Sequence, residues 1–384
     1  MSVSPAGVPL LDVSRGNLPL RDELLAALAQ VIDSGRFLFG PDVQELEKSL
    51  ARLCQVDHAI GCASGSDALL LSMMALEIGP GDEVIVPSFT FFASVSCVTR
   101  LGATPVFVDI CPETYNIDPT AIEAAITENT RAIIPVHLFG QCAAIDAICQ
   151  IAAAHDIPVV EDAAQAIGAA YHSRPAGSWG QMGCFSFYPT KNLGGMGDGG
   201  LLTTNDAKLA ERLRLFAAHG MAPRYHHSVV GINSRLDTFQ AAVLNVKLKH
   251  LPAGVVARQE NATRYDQLFH EAGLDEHVSL PVHDPHAYHV WNQYSLRIPE
   301  GQRDALREHL SKQGVGSEIY YPIPVHRQAC YANEKWAKVH LPETDRAASE
   351  ILNLPIFPEL TAEEQQRVVE SIAEFYGQSA RAAA

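Results

Sequence analysis

The 384-residue sequence lacks several things. Its eight cysteines form no C-x-x-C pair, and no stretch is rich in lysine and arginine. No uninterrupted apolar run approaches ~18 residues, and there is no internal repeat or low-complexity linker. Each absence removes a class of function. Without paired cysteine spacing, neither a disulfide frame nor a zinc site is expected, and the thiols read as reduced core residues of a cytoplasmic protein. Without a basic run, and with 28 Lys+Arg against 44 Asp+Glu for a formal charge of −16, a nucleic-acid groove is not expected. Without a long apolar run nothing is expected to span a membrane. The start, "MSVSPAGVPLLDVSRG", has no basic segment followed by an apolar one, so no signal peptide is expected.

What is present is a rhythm. Short apolar runs ("HAIGCAS", "DEVIVPS", "TPVFVDI", "RAIIPVHLFG", "IPVVED") alternate with helical patterns ("DALLLSMMALEIG", "FTFFASVSCVTRLG", "PTAIEAAITENT", "AAIDAICQIAAAHD"). All-apolar strands in a βαβα order predict a mostly parallel sheet with helices on both faces. After about residue 175 the rhythm changes. "MGCFSFYPT" and "GGLLTTND" read as strands joined by a glycine stretch, and "AKLAERLRLFAAHG" and "SRLDTFQAAVLNVKLKHL" as helices. Pro252 marks a break before another helix, and the expected division is a large domain, 1–250, and a smaller α/β domain, 251–384. The latter has strands at "WNQYSLRI" and "VGSEIYYP" and a fraying tail, "SARAAA".

Ligands of open parallel sheets gather at the carboxyl ends of the strands. The residues there are Gly65 and Ser66, Phe91, His137, Asp162 and Gln165, and Ser186 with Lys191. "ASGSDALLL" starts a helix whose free N–H groups would hold a phosphate, or it is a tight turn with a serine cap. Asp162 ends an apolar strand, where a carboxylate is expensive to bury without a cation, unless it only caps "AAQAIGAA". Lys191, in "FSFYPTKNLGGMGDGG", has few charges near it in sequence. It is either a surface ion-pair partner or an amine able to lose its proton and condense with an aldehyde. Phosphate site, buried carboxylate and lysine together suit pyridoxal 5′-phosphate (PLP): the acid keeps the ring nitrogen protonated and the amine takes the aldehyde. The triad His283, His286 and His289 in "HDPHAYH" lacks a completing cysteine or well-spaced carboxylate and reads as a polar loop, so no metal is expected.

These stretches, together with "GPGDEVIVPSFTFFAS", "VVEDAAQAIGA", "GINSRLDTFQAAVL" and "YYPIPVH", resemble the DegT/DnrJ/EryC1/StrS family of sugar aminotransferases across nearly the whole chain. The resemblance implies a PLP-dependent transferase of fold type I, with a large α/β/α domain and a smaller C-terminal α/β domain. It implies Lys191 as the Schiff-base lysine and proton shuttle, Asp162 at the ring nitrogen, Gln165 near the phenolic oxygen and Phe91 on the ring face. Gly65, Ser66 and Ser186 would bind the phosphate. Asn233 would reach it from the other subunit of a homodimer, and Tyr321 and His326 would lie near the sugar or nucleotide. The implied reaction moves an amino group from an amino acid, glutamate, through pyridoxamine phosphate to a keto group of a nucleotide-diphosphate-linked sugar. Relatives with histidine at the lysine position dehydrate instead; Lys191 favours transamination. Serine at 66, where relatives often have threonine, keeps the hydroxyl. Dehydration, amino-ring synthesis and a regulator without turnover are the alternatives.

Overall fold

The computed structural model describes residues 7–377; the tail "SARAAA" and the first six residues lie outside the described residues. Seven strands build the main sheet: β1 (His58–Cys62), β2 (Glu83–Pro87), β3 (Thr104–Val108), β4 (Thr130–Ile133), β5 (Val160–Asp162), β6 (Met182–Ser186) and β7 (Gly200–Thr204). β3, β2 and β4 run parallel, and so do β5 and β6. Single parallel bridges, Ile133 to Val159 and Val136 to Asp162, join the two groups into the order β3-β2-β4-β5-β6-β7-β1. Only β7 is antiparallel, to both β6 and β1, so the sheet is mostly parallel, as the all-apolar strands predicted.

Both faces are buried because strand side chains alternate. On β2, Ile85 packs into one hydrophobic core, while Val84 and Val86 pack into the core on the other face. A further core gathers around Tyr265 and Tyr294, between helix Leu251–Glu271 and the antiparallel pair Tyr294–Arg297 and Ile351–Leu354. That helix serves two cores: Leu251 and Val255 face the first, and Ala262, Tyr265 and Phe269 the last.

Several local expectations are corrected. "VGSEIYYP" forms no strand; it pairs only through isolated bridges, Val315 to Val8 and Glu318 to Asn353. "RAIIPVHLFG" is a strand only to Ile133, since Pro135 has no N–H to give the ladder and Phe139 turns the chain at φ 59. The helix in "FTFFASVSCVTRLG" covers only Ala93–Thr99. Pro252 does not separate two helices from outside; it sits in the first turn of Leu251–Glu271, where its missing N–H costs nothing. "PTAIEAAITENT" does start a helix: Asp118 accepts from Thr120 N at 2.9 Å and Pro119 opens it.

Candidate active site

A cavity of about 550 Å³ opens at the carboxyl ends of β1, β2, β5 and β6. Gly65, Ser66, Phe91, Asp162, Gln165, Ser186, Lys191 and Tyr321, all singled out in the sequence, line it.

The floor near β1 is the start of helix Gly65–Ala75. Ser64 caps it, accepting from Asp67 N at 3.1 Å, which leaves the N–H groups of Gly65 and Ser66 as open donors toward the cavity. Two glycines let three chain segments meet here. A Cβ on Gly65 would lie 2.7 Å from Ser186 Cβ, and one on Gly200 would lie 2.4 Å from the Ser64 carbonyl. The helix start is thereby pressed against the end of β6.

Asp162 is 5% exposed and forms no ion pair among the described residues. Its Oδ2 accepts from Ser94 Oγ at 2.7 Å and its Oδ1 from Ala164 N at 3.2 Å. Burial pushes its carboxyl above the ordinary value despite these bonds. Ser94 was not foreseen; a serine inside an apolar helix that starts beside the site was the available signal. Lys191 follows β6 by a short turn, with Lys191 N bonded to Tyr188 O at 2.8 Å. Burial pulls its amine down to about 8, against the attraction of Asp162. Asn192 Nδ2 donates to Val290 O at 2.8 Å, and Gln240 Oε1 accepts from Met196 N at 2.8 Å, so side chains from elsewhere pin the glycine-rich loop.

Gln165 Oε1 accepts from Phe139 N at 2.6 Å, which turns Nε2 toward Tyr321 Oη, 3.4 Å away. Phe91 stands 56% exposed at the mouth, its ring 6.1 Å from that of Tyr321.

Other candidates fall outside. His326 is buried beside Phe107, its Nδ1 2.7 Å from Ser88 Oγ, and does not line the cavity. Asn233 is exposed and also does not line the cavity. His137 points to the opposite side of the sheet. Ala143 N–H donates to its Nδ1 at 3.1 Å, so Nε2 carries the proton and donates to Glu161 at 2.9 Å. His289 stacks on Trp291 at 3.9 Å, and among the described residues no group of three or more ligating side chains could hold a metal. All eight cysteines are free, and among the described residues no helix is long and apolar enough to cross a membrane. Thr90, Tyr188, Thr190, Asp198, Gln293 and Tyr320 also line the cavity and were not singled out; they lie in loops without a fixed spacing.

The parallel sheet, the lysine and the carboxylate at its strand ends define an aminotransferase of a recognisable kind. The chain belongs to the DegT/DnrJ/EryC1/StrS aminotransferase family, whose sequence model matches residues 19–373. It is 48% identical over 369 residues to a protein of Geobacillus stearothermophilus named pleiotropic regulatory protein, covering 96% of this chain and 98% of that one. It is 45% identical over 361 residues to the UDP-N-acetyl-3-dehydro-alpha-D-glucosamine 3-aminotransferase of Acidithiobacillus ferrooxidans, covering 94% and 96%. In structure it is similar to S. venezuelae DesV, solved in complex with a ketimine intermediate, with a TM-score of 0.92 and 43% identity. The match covers 99% of this chain and 100% of that one.

Proposed function

We propose that the protein is a PLP-dependent aminotransferase that moves an amino group from glutamate to the keto carbon of a nucleotide-diphosphate-linked sugar. The observation that carries the reading is the pairing, in one cavity, of a lysine whose amine is pulled down to about 8 and a buried aspartate with no cation of its own. The residues fit the cofactor: an unpaired buried acid suits a basic ring nitrogen, open helix N–H groups suit a phosphate, and the amine suits an aldehyde. When bound, PLP supplies an electron-accepting ring and an aldehyde carbon. Lys191 Nζ takes up and returns the proton at the reacting carbon. Asp162 holds the proton on the ring nitrogen, and loss of such an electrostatic partner costs about 3 kcal/mol in the barrier. Gly65, Ser66 and Ser186 would hold the phosphate, Phe91 would lie on the ring face, and Gln165 would lie near the ring oxygen. Tyr321 contacts the sugar. His326, buried on Ser88 behind the cavity wall, would not touch substrate.

The reading includes a homodimer in which Asn233 of the partner subunit completes the phosphate site. Exposed Leu18, Leu25 and Ile32, spaced by seven, support it as an apolar stripe suited to a second copy. It also includes a cytoplasmic location, supported by the unpaired thiols. Residues 1–250 and 251–384 would act as large and small domains; the core around Tyr265 draws mainly on the second and is shared with Phe89, Ile110 and Tyr115 of the first.

The test is incubation with glutamate and UDP- or dTDP-linked 3-keto and 4-keto sugars, followed by mass spectrometry. An amino sugar formed with equimolar 2-oxoglutarate is expected. The name of the Geobacillus relative favours a second reading, a regulator without turnover. No amino sugar from any acceptor, with no protein-bound PLP absorbance band left after adding PLP and desalting, would replace the first reading by that one.

A further inference from the structure

A second cavity, of about 350 Å³, shares Thr190 and Lys191 with the first. The chemistry above does not use it. One wall is the first two turns of helix Leu251–Glu271, where Leu251, Gly254 and Arg258 are spaced by three and four and so share a face. Gly254 leaves this face open: an added Cβ would meet only Pro358 Cγ, at 3.5 Å.

Arg258 is 4% exposed, yet it forms no ion pair among the described residues. Its Nη1 donates to Trp291 O at 3.0 Å and Ile356 O at 2.8 Å, while Nε and Nη2 have no hydrogen bond among the described residues. The start of the helix, about two turns before Arg258 and directly after helix Thr238–Leu248, has no side-chain cap from His250. Lys247 lines the same space, with Nζ bonded to Gly194 O at 2.6 Å. Glu359 and Asp12 also face the cavity: Asp12 accepts from Ser14 N and pairs with Arg15, while Glu359 has no hydrogen bond among the described residues and acts on Arg258 and Lys247 from a distance. A guanidinium with open N–H groups thus shares the cavity with the Glu359 carboxylate. They suit a ligand whose carboxylate meets Arg258 and whose ammonium, if it has one, meets Glu359.

We propose that this second cavity binds a small carboxylate of the amino-acid or 2-oxo-acid class, held beside the Lys191 loop. The anion site stands on the geometry alone. The choice of acid rests on the aminotransferase reading, because glutamate and 2-oxoglutarate are the carboxylates such an enzyme meets.

The experiment is isothermal titration of 2-oxoglutarate into the PLP-loaded protein, in chloride-free buffer, with and without saturating UDP to occupy the first cavity. Two variants accompany it. Arg258→Gln removes the charge, and Gly254→Leu fills the space while leaving every hydrogen bond of Arg258 in place. Binding that persists with UDP and weakens about tenfold or more in both variants is expected. Displacement by inorganic phosphate as readily as by glutamate would show a general anion site and overturn the assignment to this acid class. An unchanged Kd in Gly254→Leu, or binding lost when UDP is present, would overturn the site itself. Failure of the functional reading looks different: variant-sensitive 2-oxoglutarate binding in a protein that forms no amino sugar leaves the site standing and the reading fallen.

Discussion

Burial acts on Lys191 and Asp162 in opposite chemical senses, lowering the amine from 10.5 to about 8 and raising the carboxyl above 3.8. At neutral pH the neutral amine is thereby roughly a few hundred times more abundant than in a solvated lysine. Capture of PLP by the cofactor-stripped protein should therefore quicken with rising pH and level off near pH 8. Stopped-flow absorbance that keeps rising to pH 10 would contradict this. The stability consequence has a definite sign. Between pH 8 and 10.5 the unfolded chain holds a proton that the folded chain has released, so stability rises with pH across that window. Below pH 8 the folded protein carries a desolvated charge. Lys191→Met should then melt higher than the wild type in cofactor-free form below pH 8, with the gap closing by about pH 10.5, while amine transfer falls on the order of 10⁴-fold. Asp162 runs the other way, because its folded pKa is raised. Asp162→Asn should stabilise the cofactor-free protein at neutral pH, show no gain below about pH 4, and slow transfer by about 10²–10³.

At the scale of elements, β5 carries two adjacent carboxylates on opposite sides of the sheet. Glu161 is fully buried and accepts from Gly177 N, Trp179 N and Gly180 N at 2.7–2.8 Å and from His137. These bonds tie β5 to the segment before β6 and so fix where Asp162 emerges. Glu161→Ala leaves four donors buried without a partner and should cost about 3–5 kcal/mol by denaturant unfolding; Glu161→Gln, which keeps an acceptor, should cost clearly less. The contact of the Gly65 helix start with Ser186 is equally tight. Gly65→Ala should cost about 1–3 kcal/mol of stability and weaken PLP binding, read by unfolding and by equilibrium dialysis.

At the scale of the whole molecule Leu18, Leu25 and Ile32, with Phe39 at 67% exposure, stay exposed among the described residues. Analytical ultracentrifugation should show a dimer, and Leu25→Asp with Ile32→Asp should give a monomer. If Asn233 completes the partner's phosphate site, Lys191→Ala and Asn233→Ala are each inactive alone. Refolded together at equal amounts they should regain about a quarter of wild-type activity, since half the dimers then hold one intact site. No regain would mean that each subunit's site is complete in itself.

The mostly parallel sheet, the lysine and the aspartate were legible in the amino-acid order because each obeys a local rule: apolar strands alternate with helices, and ligand groups follow strand ends. Tertiary structure alone decided what lies opposite. His137 looked like a site residue by position, yet its ring faces Glu161 across the sheet. "VGSEIYYP" had strand composition but found only single bridging partners. The roles of Ser94, Gln293 and Arg258 depend on segments far apart in sequence, Ser94 and Asp162 being 68 residues apart, and no local periodicity encodes which side chains such segments bring together. Sequence set the chemistry available at each strand end; packing selected which groups share a cavity, because burial and pairing are properties of the assembled chain.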